Sequence, residues 1–274
     1  MKLDLATRVK SLQNKFGRPP GLAVVLVGED PASVIYTSKK SSVAEDLGIL
    51  AHTEKFSADA SSEAVFSKVQ ELNSRKDIDG ILIQRPLPKG FVESEVLYWV
   101  WKEKDVDAFH PENVGRLSLG LDCFEPCTPS GVIRLLDYYK IKIDGKVACV
   151  VGRSSIVGKP MAALLLQRNA TVIHCHSKTL DLAEKTRQAD ILVAAAGKAK
   201  LIKGADLKEG AVVVDIGMHR LPDGKLCGDV EFESASRVAS AITPVPGGVG
   251  PTTIITLMEN TVRSAEHRLA HNRP

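Results

Sequence analysis

The sequence predicts an α/β protein of two lobes, the first built on a parallel sheet and the second a nucleotide-binding lobe, with a cleft between them. Three observations carry this. Apolar runs such as Gly21–Val27, Lys146–Val151, Asp190–Gly197 and Gly210–Gly217 are too continuous for half-exposed strands and read as strands buried on both faces. Several are separated by stretches of helical periodicity, the alternation expected of crossover-connected parallel strands. The segment Pro126-Cys127-Thr128-Pro129-Ser130-Gly131 then fixes the entry of a connecting helix (Val132, Ile133, Leu135, Leu136), and the domain boundary is placed there. The first lobe is thus 1–126, completed by a C-terminal helix at 252–274, and the second is 127–251.

Composition sets the class of protein. A chain of 274 residues, 44% hydrophobic, can bury proper cores in two ordinary domains. A net charge of +3 with 25% charged residues gives no electrostatic case for nucleic acid. No apolar run reaches the ~20 residues of a membrane span, and the N-terminus is amphipathic, unlike a signal peptide, so a cytoplasmic location is expected. Cys123, Cys127, Cys149, Cys175 and Cys227 lack paired C-x-x-C spacing and read as reduced structural residues.

Taken in order, Leu5, Val9, Leu12 and Phe16 recur at helical spacing and predict an opening amphipathic helix that ends near Gly17-Arg18-Pro19-Pro20. The strand Gly21–Val27 follows. Asp30 is suited to cap the next helix, about 32–47, and Pro31 to its first position. That helix carries Tyr36 and Lys40 four residues apart, on one face. Two readings stand: a tyrosine packed on a lysine stem, or a hydroxyl and an amine sharing a functional surface.

A strand near 48–56, a helix near 61–73 and a strand at 78–84 continue the alternation. Gln84 falls at the carboxyl end of that strand, where such sheets bind ligands, although an ordinary strand-end amide reads the same. A short helix near 94–101 precedes Lys104–Pro111, a polar connector of little periodicity.

The second lobe centres on Lys146–Pro160. Gly152 stops the apolar strand, Arg153-Ser154-Ser155-Ile156-Val157-Gly158 follows, and Met161-Ala-Ala-Leu-Leu-Leu begins a helix whose N–H groups would face a pyrophosphate. The spacing departs from the usual three-glycine fingerprint, since Ser154 stands in the middle glycine's place and Gly158 falls later, and a plain structural turn fits the same residues. The next strand, Thr171–His176, ends without the acidic residue that favours NAD. Ser177 and Lys178, with Arg153, suit a 2′-phosphate instead, which favours NADP. His174 and His176 alternate on that strand with no third ligand at suitable spacing, so they read as ordinary strand histidines and no metal is expected. The glycines that close the strands at Gly197 and Gly217, the latter beside Ile216, leave room for a cofactor across the sheet edge. Finally, Thr243–Pro251 concentrates proline and glycine before a helix (Ile254, Leu257, Met258, Thr261, Val262), an irregular backbone more suited to function than to linkage. The polar tail 265–274 is expected to fray.

Assembled in this order, the motifs closely resemble the bifunctional methylenetetrahydrofolate dehydrogenase/methenyltetrahydrofolate cyclohydrolase family, nearly end to end. They are Asp30-Pro31-Ala32-Ser33 with Tyr36 and Lys40; Asp79–Gln84 with Pro86-Leu87-Pro88; Lys104-Asp105-Val106-Asp107; Pro126–Pro129; Gly152-Arg153-Ser154 with Ile156–Pro160; and Thr243–Pro251. Each is weak alone, and the ordered set is specific.

The resemblance implies an α/β folate-binding lobe, a Rossmann-like NADP lobe and a homodimer formed through the latter. It implies that Tyr36, Lys40, Gln84 and Asp107 line the folate site and that Pro246, Gly247, Gly248 and Gly250 close it. Gly152, Arg153, Ser154, Ile156, Val157, Gly158, Ser177 and Ile216 are implied to receive NADP. The expected chemistry is oxidation of 5,10-methylenetetrahydrofolate followed by hydrolysis of the methenyl product, with Lys40 moving protons. Desolvation and a cationic substrate both disfavour its ammonium form. Rival readings are dehydrogenase activity alone, a shikimate-dehydrogenase-like reductase, and a binding protein without turnover.

The chain departs from the family pattern in places. It begins about a dozen residues later than is usual, so an opening strand is expected to be missing or to have been assigned away by a different start. Ser42 stands where a second lysine is usual, Arg85 replaces an apolar residue, and Ala108 and Thr252 replace a usual glycine and methionine.

Overall fold

The computed structural model describes residues 2–271 and divides into two compact units. The first comprises the chain to Arg116, Asp122–Glu125 and the chain from Ile254; the second comprises Leu117–Leu121 and Pro126–Thr253.

The first unit opens with α1 (Lys2–Phe16), which buries Leu5, Val9 and Leu12, and enters β1 (Gly21–Val27), buried at every position. Helix α2 (Pro31–Asp46) begins where Asp30 accepts the Ser33 N–H at 2.8 Å, so the capping read from Asp30-Pro31 holds. Next come β2 (Leu50–Phe56), α3 (Ser62–Ser74), β3 (Gly80–Ile83), α4 (Glu93–Val96) and α5 (Pro111–Ser118). The three strands form a parallel sheet in the order β2-β1-β3. One face of it packs Val25, Ile81 and Ile83 against Val65, Val69 and Leu72 of α3 and against Trp99.

In the second unit, α6 (Cys127–Tyr138) leads to β4 (Val147–Val151), α7 (Gly158–Gln167), β5 (Thr171–Cys175), α8 (Leu182–Thr186), β6 (Ile191–Ala194) and β7 (Val212–Asp215). A small antiparallel pair, β8 (His219–Arg220) and β9 (Leu226–Cys227), precedes α9 (Phe232–Ala235) and β10 (Ala241–Ile242). The five parallel strands lie in the order β10-β7-β6-β4-β5. Counted from β4, this is the 2-1-3-4-5 order of doubly wound sheets, whose ligand crevice opens where the winding reverses, between β4 and β6. Helix α10 (Val249–His271) closes the chain.

Several expectations need correction. The helix placed near 94–101 is a single turn, Glu93–Val96, and α5 was not anticipated. Gly48 is a turn residue at φ 78°, and β2 starts two residues later. The tail does not fray over the described residues. Helix α10 runs to His271 and buries Ala265, and Ser264 Oγ donates to Asp79 O and Glu103 O, both at 2.7 Å. Residues 272–274 lie outside the described residues.

The polar connector 104–111 is also more buried than its composition implied. The Lys104 ammonium donates to Leu72 O at 3.1 Å and Arg75 O at 2.6 Å, satisfying carbonyls at the α3 C-terminus, and burial pushes its pKa down to about 8. Composition misled here because each buried polar group is matched by a distant partner.

Candidate active site

Helix α2 and strand β3 bring three of the sequence-identified residues together in the first unit. Lys40, only 7% exposed, donates from Nζ to Gln84 Oε1 at 2.8 Å and lies 5.7 Å from the centre of the Tyr36 ring. The Gln84 amide is oriented by a further bond, since its Nε2 donates to the Arg85 carbonyl at 2.6 Å. A carbonyl only accepts, so the amide oxygen must face the lysine. Tyr36 is half-buried, and burial raises the pKa of its hydroxyl, which therefore stays protonated at neutral pH.

Asp107 is half-buried and lines a shallow cavity with Ile83, Arg85, Asp105 and Phe109. Beside it, Asp105 went unrecognised in the sequence. It is fully buried, and its Oδ2 accepts the His110 N–H at 2.7 Å and the Asn113 Nδ2 at 2.9 Å. Burial outweighs these bonds and pushes its pKa up to about 6. Nothing in the polar stretch Lys104–Asp107 distinguishes the buried aspartate from the half-exposed one. Arg85 pairs with Glu93 at 3.0 Å and stacks its guanidinium 5.8 Å from the Phe109 ring centre. Ala108 occupies the left-handed region at φ 61°, a conformation a glycine adopts without strain.

In the second unit, Gly152 ends β4 at φ 131°, where a Cβ would lie 1.9 Å from Ala195 O. Gly158 begins α7 with equally little room, its Cβ position lying 2.1 Å from Gly152 O. Only glycines permit this close crossing of backbones. Ser154 Oγ accepts the N–H groups of Val157 and Gly158 at 3.2 and 3.3 Å, shaping the turn at the helix start. His174 bonds through Nε2 to Gly152 O at 2.8 Å, a role in the turn that the sequence did not reveal. Arg153, Ser154, Ser177 and Lys178 are exposed, Ile156, Val157 and Ile216 half-buried.

These residues fit a dinucleotide. The turn lies at the point of winding reversal, it contains no side chain at its two tightest positions, and no carboxylate follows β5. Pro246, Gly247, Gly248 and Gly250 also belong to this unit, at the approach to α10 and its first turn. Gly247 adopts φ 100°, and the Gly248 N–H donates to Pro244 O at 3.0 Å. Among the described residues, no group of three or more His, Cys, Asp or Glu side chains is placed to hold a metal ion.

Together, a lysine-glutamine-tyrosine cluster on one α/β unit and a glycine turn on a doubly wound second unit define a two-domain, NAD(P)-binding enzyme. Comparison with known proteins gives the family. Residues 1–107 match the catalytic domain, and residues 126–269 the NAD(P)-binding domain, of tetrahydrofolate dehydrogenase/cyclohydrolase. The chain belongs to this family.

It is 54% identical to Bifunctional protein FolD of Aromatoleum aromaticum over 96% of this chain and 92% of that protein. Among solved structures, it resembles the bifunctional FolD methylenetetrahydrofolate dehydrogenase/cyclohydrolase of Campylobacter jejuni, with TM-score 0.95 and 46% identity over 97% and 95% of the two chains. It also resembles the Trypanosoma brucei dehydrogenase-cyclohydrolase solved with NADP and an inhibitor, with TM-score 0.93 and 35% identity over 98% and 94%.

Proposed function

We propose that this chain oxidises 5,10-methylenetetrahydrofolate to 5,10-methenyltetrahydrofolate with NADP and hydrolyses the product to 10-formyltetrahydrofolate, a formyl donor of the kind purine biosynthesis consumes. The observation that carries the reading is the Lys40–Gln84 hydrogen bond beside Tyr36, within a unit that matches the family's catalytic domain.

NADP, when bound, supplies the hydride acceptor. Gly152, Arg153, Ser154, Ile156, Val157, Gly158, Ser177 and Ile216 are the residues that would hold it, and Arg153, Ser177 and Lys178 are of a kind to bind a 2′-phosphate. For oxidation, the first unit needs only to hold the folate ring in line and to tolerate a cation. Asp107 would accept paired hydrogen bonds from the pterin amino and ring N–H groups, and Tyr36 would offer a stacking face. Pro246, Gly247, Gly248 and Gly250 are assigned to substrate closure.

Hydrolysis asks more of the protein. Water adds to the cationic methenyl carbon and loses one proton to give a neutral carbinolamine. A ring nitrogen is then protonated as its bond to the carbon breaks, while the hydroxyl gives up its second proton to become the formyl carbonyl, so one proton is released overall. Lys40, unprotonated, would take the first proton and return one to the nitrogen. Gln84 Oε1 holds one N–H of the lysine and so helps to orient Nζ.

The test measures NADPH formation from methylenetetrahydrofolate and, separately, loss of methenyl absorbance without nucleotide. Activity in the first assay and none in the second would leave a dehydrogenase alone; activity in neither would sink the reading. We also propose a cytoplasmic homodimer associated through the second unit, which light scattering of the purified protein would test. No helix of the described residues is long and apolar enough to cross a membrane.

A further inference from the structure

Two buried carboxylates in the second unit have no part in the chemistry above. Asp229 is fully buried, and it accepts the backbone N–H groups of three consecutive residues, Ala196 at 2.5 Å, Gly197 at 3.0 Å and Lys198 at 2.9 Å. His219 Nε2 donates to the same carboxylate at 2.7 Å. Asp215, at the end of β7, accepts N–H groups from Gly217 at 2.9 Å, Asp229 at 3.0 Å and Val230 at 2.8 Å. Burial raises the pKa of Asp215 despite these bonds. The two side chains are packed without slack: a Cβ on Gly217 would lie 2.4 Å from Asp229 Oδ1, and one on Gly228 would lie 1.9 Å from Asp215 Oδ2.

What Asp229 holds is revealing. Residues 196–198 are exposed and follow β6, yet their N–H groups turn inward to this buried carboxylate. Removing a carboxylate from water is costly, and pairing it to an exposed loop defines shape more than it adds stability. The loop so defined stands at the functional edge. Ala195 O is the atom that a Cβ on Gly152 would strike, and Ala196 N lies 3.2 Å from that position. The glycine turn after β4 and the segment after β6 therefore flank the reversal of winding, and each forms one wall of the crevice. The second wall is set by Asp229, and Asp229 is in turn oriented by His219 on β8.

We propose that Asp229 and His219 are positioning residues for the dinucleotide: they fix the backbone of residues 195–198 as the wall opposite the Gly152 turn, and the two walls together would hold NADP. This rests on the reading that the second unit binds NADP. The small β8–β9 hairpin is then a brace for the cofactor site.

Removing the donor from Asp229 leaves a buried carboxylate one bond short and frees it to shift, with the loop it carries. The experiment compares the unaltered protein with His219→Leu and His219→Gln, reading NADP affinity by titration calorimetry and methenyl hydrolysis without nucleotide. Loss of a hydrogen bond to a charged group predicts that His219→Leu weakens NADP binding roughly tenfold. His219→Gln, whose Nε2 keeps a donor near the same reach, should recover most of that loss, and hydrolysis should be unchanged in both. Unaltered NADP affinity in His219→Leu overturns the inference. So does an equal fall in hydrolysis, which would mark a role in folding alone. Absence of NADP binding by the unaltered protein would remove the cofactor reading itself, and the inference with it.

Discussion

Lys40 and Gln84 stand 44 residues apart in the chain, yet Nζ of the first donates to Oε1 of the second at 2.8 Å. Because Gln84 Nε2 is bound to the Arg85 carbonyl, the amide cannot turn its nitrogen toward the lysine without losing that bond. The lysine is thereby held by a neutral acceptor. A carboxylate in its place would stabilise the ammonium and oppose proton release.

Lys40→Met is expected to remove cyclohydrolase activity by a factor on the order of a hundred or more, the contribution typical of a positioned proton-transfer group. Folate binding should persist. Methenyl decay and substrate affinity measured on the same preparation check this, and near-normal hydrolysis would take Lys40 out of its role.

Gly152→Ala should separate the two activities. The added Cβ would meet Ala195 O at 1.9 Å, at a φ of 131° that an L side chain rarely adopts, so the turn must open. NADP-dependent oxidation should fall severely while hydrolysis without nucleotide survives. A variant with ordinary NADP affinity would show that the turn does not hold the cofactor.

Asp105 predicts a pH effect on stability. Its folded pKa of about 6 stands above the ordinary carboxylate value of 3.8, chiefly through burial. The folded chain therefore binds this proton more tightly than the unfolded chain. The resulting stabilisation is full below pH ~4, declines as pH rises through 6, and amounts to roughly 3 kcal/mol at most. Asp105→Asn keeps an acceptor for His110 N and Asn113 Nδ2 and cannot ionise. Its melting temperature relative to the unaltered protein should rise between pH 4 and 7. A difference that stays flat across that range would refute the assignment.

Ala108→Gly should stabilise. Alanine at φ 61° carries strain of about 1–2 kcal/mol, partly offset by the greater freedom of an unfolded glycine. A net gain of up to about 1 kcal/mol is expected, read as a small rise in denaturant midpoint with unchanged slope. A lower midpoint would mean that the buried methyl contributes more through packing than it loses through strain.

Much of the fold was legible in the residues. Asp30-Pro31 marked the start of α2 because capping is a property of three or four neighbouring residues, and the apolar run to Val151 marked β4 because burial on both faces leaves no alternation. Gly152 and Gly158 were visible as a turn for the same local reason. Asp105, His174, His219 and Asp229 were not. Each is an ordinary polar residue in its own neighbourhood, and its significance lies in a partner 5 to 33 residues away: His110 for Asp105, Gly152 for His174, Asp229 for His219, and Ala196 for Asp229.

The sequence by itself determined the alternation of strands and helices, the glycine turn and the lack of a carboxylate directly after β5, since periodicity, turn chemistry and charge act over a few residues. Only the tertiary structure decided that Gln84 presents its oxygen to Lys40, that Asp105 is the buried member of its pair, and that Asp229 reaches back to shape the loop after β6. Those outcomes depend on which strands become neighbours, and strand order is set by burial of the whole sheet, which no local stretch of chain encodes.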